Sequence, residues 1–169
     1  MMPIVPAEIT EITGCRACGS APLESVLSLG RSPLANALEQ PDIRKPPQPR
    51  YPLEVLRCPA CSLVQLSISI APEILFDEYV YLSSISDAFL SHARALVERV
   101  VSTRNLDGTS LVVEVASNDG YLLQHYREPG IPVLGIEPAR NIARIAREQR
   151  GIDTIEEFFG RDLAERLVS

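Results

Sequence analysis

All four cysteines fall in two pairs, Cys15-Arg-Ala-Cys18 and Cys58-Pro-Ala-Cys61. Two intervening residues let both sulfurs of a pair reach one tetrahedral ion. The small residues that follow, Gly19, Ser20 and Ser62, let the chain fold back so that its N–H groups face sulfur. Two such knuckles make a closed four-thiolate site, the structural kind for zinc, with no open position for catalysis. The 39 residues between the pairs exceed the gap of an ordinary zinc ribbon. A disulfide pair is the competing reading, disfavoured in a reducing compartment, and a thioredoxin-like motif would explain one CxxC and not two.

A second set of chemically capable residues lies further on. Leu111-Val112-Val113-Glu114-Val115 reads as a buried parallel strand, and Ala116-Ser117-Asn118-Asp119-Gly120 as a tight turn. Leu122, Leu123 and Tyr126 then fall at helical spacing. Strand, small-residue turn and helix are how open α/β sheets present a nucleotide-like ligand at a strand's carboxyl end. Val133-Leu134-Gly135-Ile136 is another short strand, and it ends at Glu137. Glu114 and Glu137 lie 23 positions apart, and an acidic residue about 20 positions beyond such a turn holds the ribose diol of an adenosine. Both NAD and S-adenosylmethionine satisfy that. A pyrophosphate wants several glycines and no nearby anion, whereas this turn has one glycine and Asp119 in its middle. Repulsion between Asp119 and a diphosphate would cost several kcal/mol, so the turn favours a ligand with a sulfonium and an ammonium. A purely structural acidic turn is the alternative.

Upstream, Glu78-Tyr79-Val80-Tyr81-Leu82-Ser83-Ser84-Ile85-Ser86 gathers hydroxyls ahead of a helix. Tyr79 and Tyr81 either pack as half-buried aromatics or point at a ligand, as Ser84 and Ser86 would. Ser86 is also a suitable N-cap for a helix running to Val101, with Phe89, Ala93, Leu96, Val97 and Val100 as its apolar stripe. His92 and His125 are both expected on exposed helix surfaces.

These residues need elements to position them. Tyr51 to Leu56 alternates as a strand that delivers the chain into the second knuckle, and Leu63 to Leu66 leaves it as the paired strand. Between the knuckles lie the apolar Leu23, Val26, Leu27 and Leu29 and a proline-rich loop, Pro41 to Pro49. Pro138 suits the first turn of a helix whose apolar face is Ala139, Ile142, Ala143, Ile145 and Ala146, ended by Gly151. Ile152 to Ile155 is a third strand and Arg161 to Val168 a last helix. The expected fold class is α/β. A zinc-ribbon-like module (1–70) and a connector with a helix (71–106) precede a partial Rossmann-like unit of about three strands (107–169).

Composition narrows the function classes. The hydrophobic fraction is 46%, too high for general disorder. Residues 1–70 carry six basic and six acidic side chains, and the whole net charge of −6 falls on residues 71–169. No basic face for a phosphate backbone is present, so nucleic acid is not an expected partner. The absence of an apolar run near the roughly 18 residues of a membrane span, and of a signal-like start, points to a cytoplasmic protein without a membrane partner.

Six stretches, CRACGS, SLGRSPLANAL, YPLEVLRCPACSLVQLS, FDEYVYLSSIS, EVASNDGYLL and GIEPARNIA, resemble in order the zinc-containing sugar C-methyltransferases of deoxysugar biosynthesis. The resemblance covers nearly the whole chain. It implies a zinc module bound by Cys15, Cys18, Cys58 and Cys61 and a class I methyltransferase core using S-adenosylmethionine. It places Glu114, Asn118, Gly120 and Glu137 around that cofactor, with Ala116 and Asp119 in the same turn. The Tyr79–Ser86 stretch, including Ser84 and Ser86, would line the cleft, and the substrate would be a nucleotide-linked 4-keto sugar. In such chemistry a base forms an enolate-like carbon that attacks the methyl, and donors hold the oxyanion. Tyr79 and Tyr81 are the candidates here. The family's enzymes are more than twice this length, so the chain is expected to be an inactive N-terminal piece. Its Leu111–Ala116 strand would be left at an open edge, a site for association. The competing readings are a zinc-ribbon interaction scaffold with a degenerate α/β unit, and an NAD-dependent oxidoreductase.

Overall fold

The computed structural model describes residues 9–38, 47–76 and 79–168, so Pro41 to Pro46 of the proline-rich loop and Glu78 lie outside the described residues. The chain divides into two compact units, Met1–Leu75 and Phe76–Ser169.

In the first unit, β1 (Ile9–Glu11) pairs antiparallel with β5 (Ile68–Ile70). A three-stranded antiparallel sheet runs in the order β2 (Glu24–Ser32), β3 (Tyr51–Arg57), β4 (Val64–Leu66). The β3–β4 pair is the one expected from the alternation, with Val55 opposite Leu66 and Arg57 opposite Val64. The run at Leu23–Leu29 proves to be an edge strand with register shifts between Ser25 and Leu27 and between Ser28 and Arg31. Such bulges twist an edge away from further pairing. Its Val26, Leu27 and Leu29 are exposed. Among the described residues of this unit few are buried, chiefly Cys15, Tyr51, Cys58, Gln65 and Ile68. With so small an apolar core, the unit depends on what its cysteines bind.

After α1 (Pro72–Phe76), a single 3₁₀ turn (Ser83–Ile85) in the second unit leads into α2 (Asp87–Arg104). Ser86 caps this helix, its hydroxyl accepting the Phe89 N–H at 3.3 Å, and Asn105 ends it in the left-handed region. Ala93 and Val97 are buried on the expected stripe, and His92 is exposed. Three parallel strands follow in the order β6 (Val112–Val115), β7 (Val133–Ile136), β8 (Thr154–Ile155). Val112 lies opposite Val133 and Val115 opposite Ile136, so β6 and β7 end together. Between them run α3 (Leu123–Arg127) and α4 (Arg140–Arg150), and α5 (Arg161–Val168) closes the order. Val97, Leu123, Tyr126, Ile131, Ala146 and Ile152 form the core. The third strand is shorter than expected because Ile152 is fully buried in that core instead of extending the strand. This is a partial Rossmann-like unit.

Two glycines are fixed by close packing. A Cβ on Gly135 would lie 2.6 Å from Ser117 Oγ, and one on Gly120, at φ +76°, would lie 2.9 Å from Ile152 Cγ1. Together they let the turn after β6 press against β7 and the core. Among the described residues β6 has a single neighbour, and Leu111, Val113 and Val115 are exposed.

His125 departs from expectation. It is 8% exposed, between the buried Leu123 and Tyr126. α2 packs over α3, and His125 shares a cleft there with Arg94 and Glu128, its Nδ1 3.6 Å from Glu128 Oε1. The bidentate Arg94–Glu128 pair bridges the two helices at 2.7 and 3.0 Å.

Candidate functional site

The two knuckles are near copies of one another. Gly19 N–H donates to Cys15 O at 2.8 Å and Ser62 N–H to Cys58 O at 2.9 Å. Cys15 N–H donates to Ser20 O, and Cys58 N–H to Leu63 O, at 2.9 and 2.8 Å. Gly19 has φ +74° and Ser62 φ +64°. The second knuckle therefore carries a left-handed non-glycine residue, a strained conformation held by its surroundings. The four sulfurs converge, all within 4.8 Å of one another. Cys15 and Cys61 are 3.5 Å apart and Cys18 and Cys58 3.6 Å. Four sulfurs about 2.3 Å from a tetrahedral zinc would be about 3.8 Å apart, so the donor set fits zinc. The separations are too long for disulfides, and all four cysteines are free.

Hydrogen bonds around the thiols prepare them for a metal. The Ser20 hydroxyl, 3.3 Å from Cys18 Sγ, and the Ser20 backbone pull the Cys18 thiol down to about 6. The Leu63 backbone acts in the same direction on Cys61, but bonds to Cys15 and Cys18 outweigh it and push Cys61 up to about 12. The cluster without metal thus shares protons that a metal must displace.

Gln65, on β4, staples the knuckles together. Its Oε1 accepts the Arg16 N–H at 3.0 Å and its Nε2 donates to Gly14 O at 3.3 Å, on either side of Cys15. Gln65→Leu keeps the bulk and removes both bonds. It is expected to weaken zinc about tenfold, the lower end for residues supporting metal ligands, measured by competition with a metallochromic chelator.

The second constellation gathers at the carboxyl ends of β6 and β7, around a cavity of about 500 Å³. Tyr79, Tyr81, Ala116, Asn118 and Glu137 all line it, joined by Ser83, Tyr121, Phe158 and Phe159. Among the described residues Glu137 is the one charged residue that lines it. The turn that shapes it is strained, with Ala116 at φ +57° and Asn118 at φ +48°. Left-handed conformation costs an L-residue roughly 1–2 kcal/mol, and such strain gathers at ligand sites. Glu137 is 6% exposed. Its Oε2 accepts the Asn118 N–H at 2.9 Å and its Oε1 the Ala139 N–H at 3.0 Å. The second bond also explains why α4 begins at Arg140 and not directly at Pro138: the carboxylate occupies the turn before the helix.

Other expected site residues lie elsewhere. Asp119 does not face the cavity: it is fully buried, with Oδ2 3.1 Å from Arg150 Nη2. A guanidinium 31 positions away in the chain pairs with one of its oxygens, and the other, Oδ1, is buried with no hydrogen-bond partner. Ser84 and Ser86 are not among the lining residues; Ser86 serves as the cap of α2, and Ser83 takes the cavity position. Gly120 acts through packing. Glu114 lies behind the turn, not in the cavity wall, with a buried Oε2 that has no hydrogen-bond partner. Burial, then the Asp119 and Glu137 charges, push its carboxyl up to about 8.

A residue not singled out by sequence reasoning is Asn141, at the start of α4. Its Oδ1 accepts the Tyr79 N–H at 3.1 Å and its Nδ2 donates to Tyr79 O at 2.7 Å. Asn118 makes the matching pair, accepting the Ser83 N–H at 2.8 Å and donating to Tyr81 O at 3.2 Å.

A four-cysteine module that could hold a metal ion precedes a parallel α/β unit with an aromatic and acidic cavity at its strand ends. Residues 15–76 match the protein family described as "Putative zinc binding domain". Over 161 residues, 95% of its length, the chain is 35% identical to the C-methyltransferase NovU of Streptomyces niveus, and it spans 38% of that protein's length. These two similarities support a relationship to a zinc-containing C-methyltransferase family. No helix among the described residues is long and apolar enough to cross a membrane.

Proposed function

We propose that this chain supplies the zinc module and the S-adenosylmethionine-binding half of a C-methyltransferase acting on a nucleotide-linked keto sugar. The observation that carries the cofactor reading is the cavity itself, whose walls are mainly aromatic and apolar and whose sole charged lining group among the described residues is the buried carboxylate of Glu137. Aromatic faces suit an adenine ring and a neighbouring cation, and a carboxylate at the end of the second parallel strand suits a ribose diol. Among the described residues no basic side chain lines the cavity to meet a pyrophosphate. Bound S-adenosylmethionine would supply an electrophilic methyl group. Glu137, Asn118 and the aromatic walls would bind and orient it, and the Tyr79 and Tyr81 hydroxyls would face the acceptor as candidate proton-handling groups. The keto-sugar acceptor rests on the sequence resemblance, and NovU supports carbon as the methylated atom.

Glu114 gives this reading a pH signature. Its folded-state pKa of about 8 exceeds the ordinary 4.5, so the native unit holds a proton that the unfolded chain releases. That contribution to stability is complete below about pH 4.5 and is lost as pH rises through 8, on the order of a few kcal/mol in all. A cationic ligand beside the turn favours the ionised form and expels the proton. Affinity for S-adenosylmethionine is therefore expected to rise from about pH 6.5 to 8.5, with proton release seen as a buffer-dependent heat. Glu114→Gln should flatten both the affinity profile and the loss of stability. Affinity that falls over this range in the native chain would count against a cationic ligand.

A further inference from the structure

The segment Tyr79–Leu82 belongs to no helix or sheet, and side-chain amides perform the task of a neighbouring strand. Asn141 takes both backbone groups of Tyr79; Asn118 takes Tyr81 O and the Ser83 N–H. Each amide oxygen meets an N–H and each amide nitrogen a carbonyl, so the partners themselves fix both orientations. The bonded groups alternate along a segment whose side chains Tyr79, Tyr81 and Ser83 all line the cavity. Both clamps also converge on Glu137. Its Oε2 holds the backbone of Asn118, and its Oε1 holds Ala139, two residues before Asn141.

We infer that Asn118 and Asn141 are positioning residues that seat Tyr79–Ser83 as a removable wall of the cavity, with Glu137 coupling that seating to the ligand. The coupling half rests on the adenosyl-ligand reading above; the clamp itself does not. Because the wall is held by two side chains and not by a ladder, it can open without disturbing β6 or β7. A hydroxyl-bearing ligand drawn to Glu137 meets the carboxylate that holds the Asn118 N–H and the Ala139 N–H, two residues before Asn141, and so couples its binding to the seating of the wall.

Residue-resolved amide exchange on the zinc-loaded chain tests this. Asn141→Leu should speed exchange at Tyr79 roughly tenfold, the equivalent of about one lost hydrogen bond, and leave β6 and β7 unchanged. Asn118→Gly, which tolerates the positive φ, should do the same at Ser83. Asn141→Asp keeps an acceptor for the Tyr79 N–H and should restore most of its protection. Unchanged exchange at both amides, or a rise spread equally over β6, β7 and α4, would overturn the clamp. Saturating S-adenosylmethionine should then slow both amides in the native chain and bind more weakly to both clamp variants. Ligand that binds by calorimetry without slowing either amide would overturn the coupling. A chain that fails to bind it would overturn the adenosyl reading and the coupling with it, while the ligand-free exchange pattern still decides the clamp.

Discussion

Stripping zinc from the protein is expected to unfold its first unit. Cys15 and Cys58 are buried where the two knuckles meet, and the remaining buried apolar residues of that unit are few. A four-thiolate zinc site contributes on the order of 10 kcal/mol of apparent binding energy, more than so small a core can supply alone. Chelation, or Cys58→Ser, should therefore abolish protection from exchange across β2, β3 and β4 and be reversed, for chelation, by added zinc. Persistence of that protection in zinc-free, reduced protein would show that the thiols are not structural ligands. Thiol counting before and after chelation separates zinc loss from oxidation.

The second large effect is expected at Glu137. Its carboxylate satisfies two backbone N–H groups in a buried turn and is the one charge on the cavity wall among the described residues. Glu137→Ala leaves those donors unsatisfied, at about 1–3 kcal/mol each, and removes the partner for a ribose diol. The second unit should melt at a markedly lower temperature. S-adenosylmethionine binding should weaken by about 100-fold or more, the equivalent of roughly 3 kcal/mol. Glu137→Gln distinguishes the two roles: it keeps one carbonyl acceptor and the shape, and should recover more stability than affinity. Equal affinity in native and Glu137→Ala protein would remove the residue from the binding site.

What was legible in the sequence was what local spacing encodes. Two residues between cysteines determine the reach of a knuckle, so the metal centre could be read without knowing how the chain returns over 39 residues. The run Leu111–Val115 and its turn carry their strand and left-handed bends within a few positions, and Glu137 follows from the length of one strand–helix–strand repeat. Partnerships across the fold were not legible. Asp119 looked like a ligand-facing anion because its counter-charge, Arg150, comes from the far end of α4. Asn141 looked like an ordinary helix residue because its partner, Tyr79, lies 62 positions earlier. A hydrogen-bonding amide in the first turn of a helix, just after an acidic strand end, was the signal that could have marked it. His125 read as exposed because α3 is too short for its periodicity to reveal that α2 covers it. Val26, Leu27 and Leu29 read as ordinary apolar content, and nothing local to them told that they would remain exposed on an edge strand.

The structure shifts the ligand argument without reversing it. With Asp119 buried beside Arg150 and outside the cavity wall, the case against a diphosphate no longer rests on the turn's own carboxylate. It rests on Glu137 in the wall, on the buried Glu114, and on the lack of a basic residue lining the cavity among the described residues. Calorimetric titration of the zinc-loaded chain at about pH 8, first with S-adenosylmethionine and then with NAD, tests that case most directly. The expected result is saturable binding of S-adenosylmethionine at one site per chain and no detectable heat from NAD. Binding of NAD in preference to S-adenosylmethionine, or of neither, would contradict it.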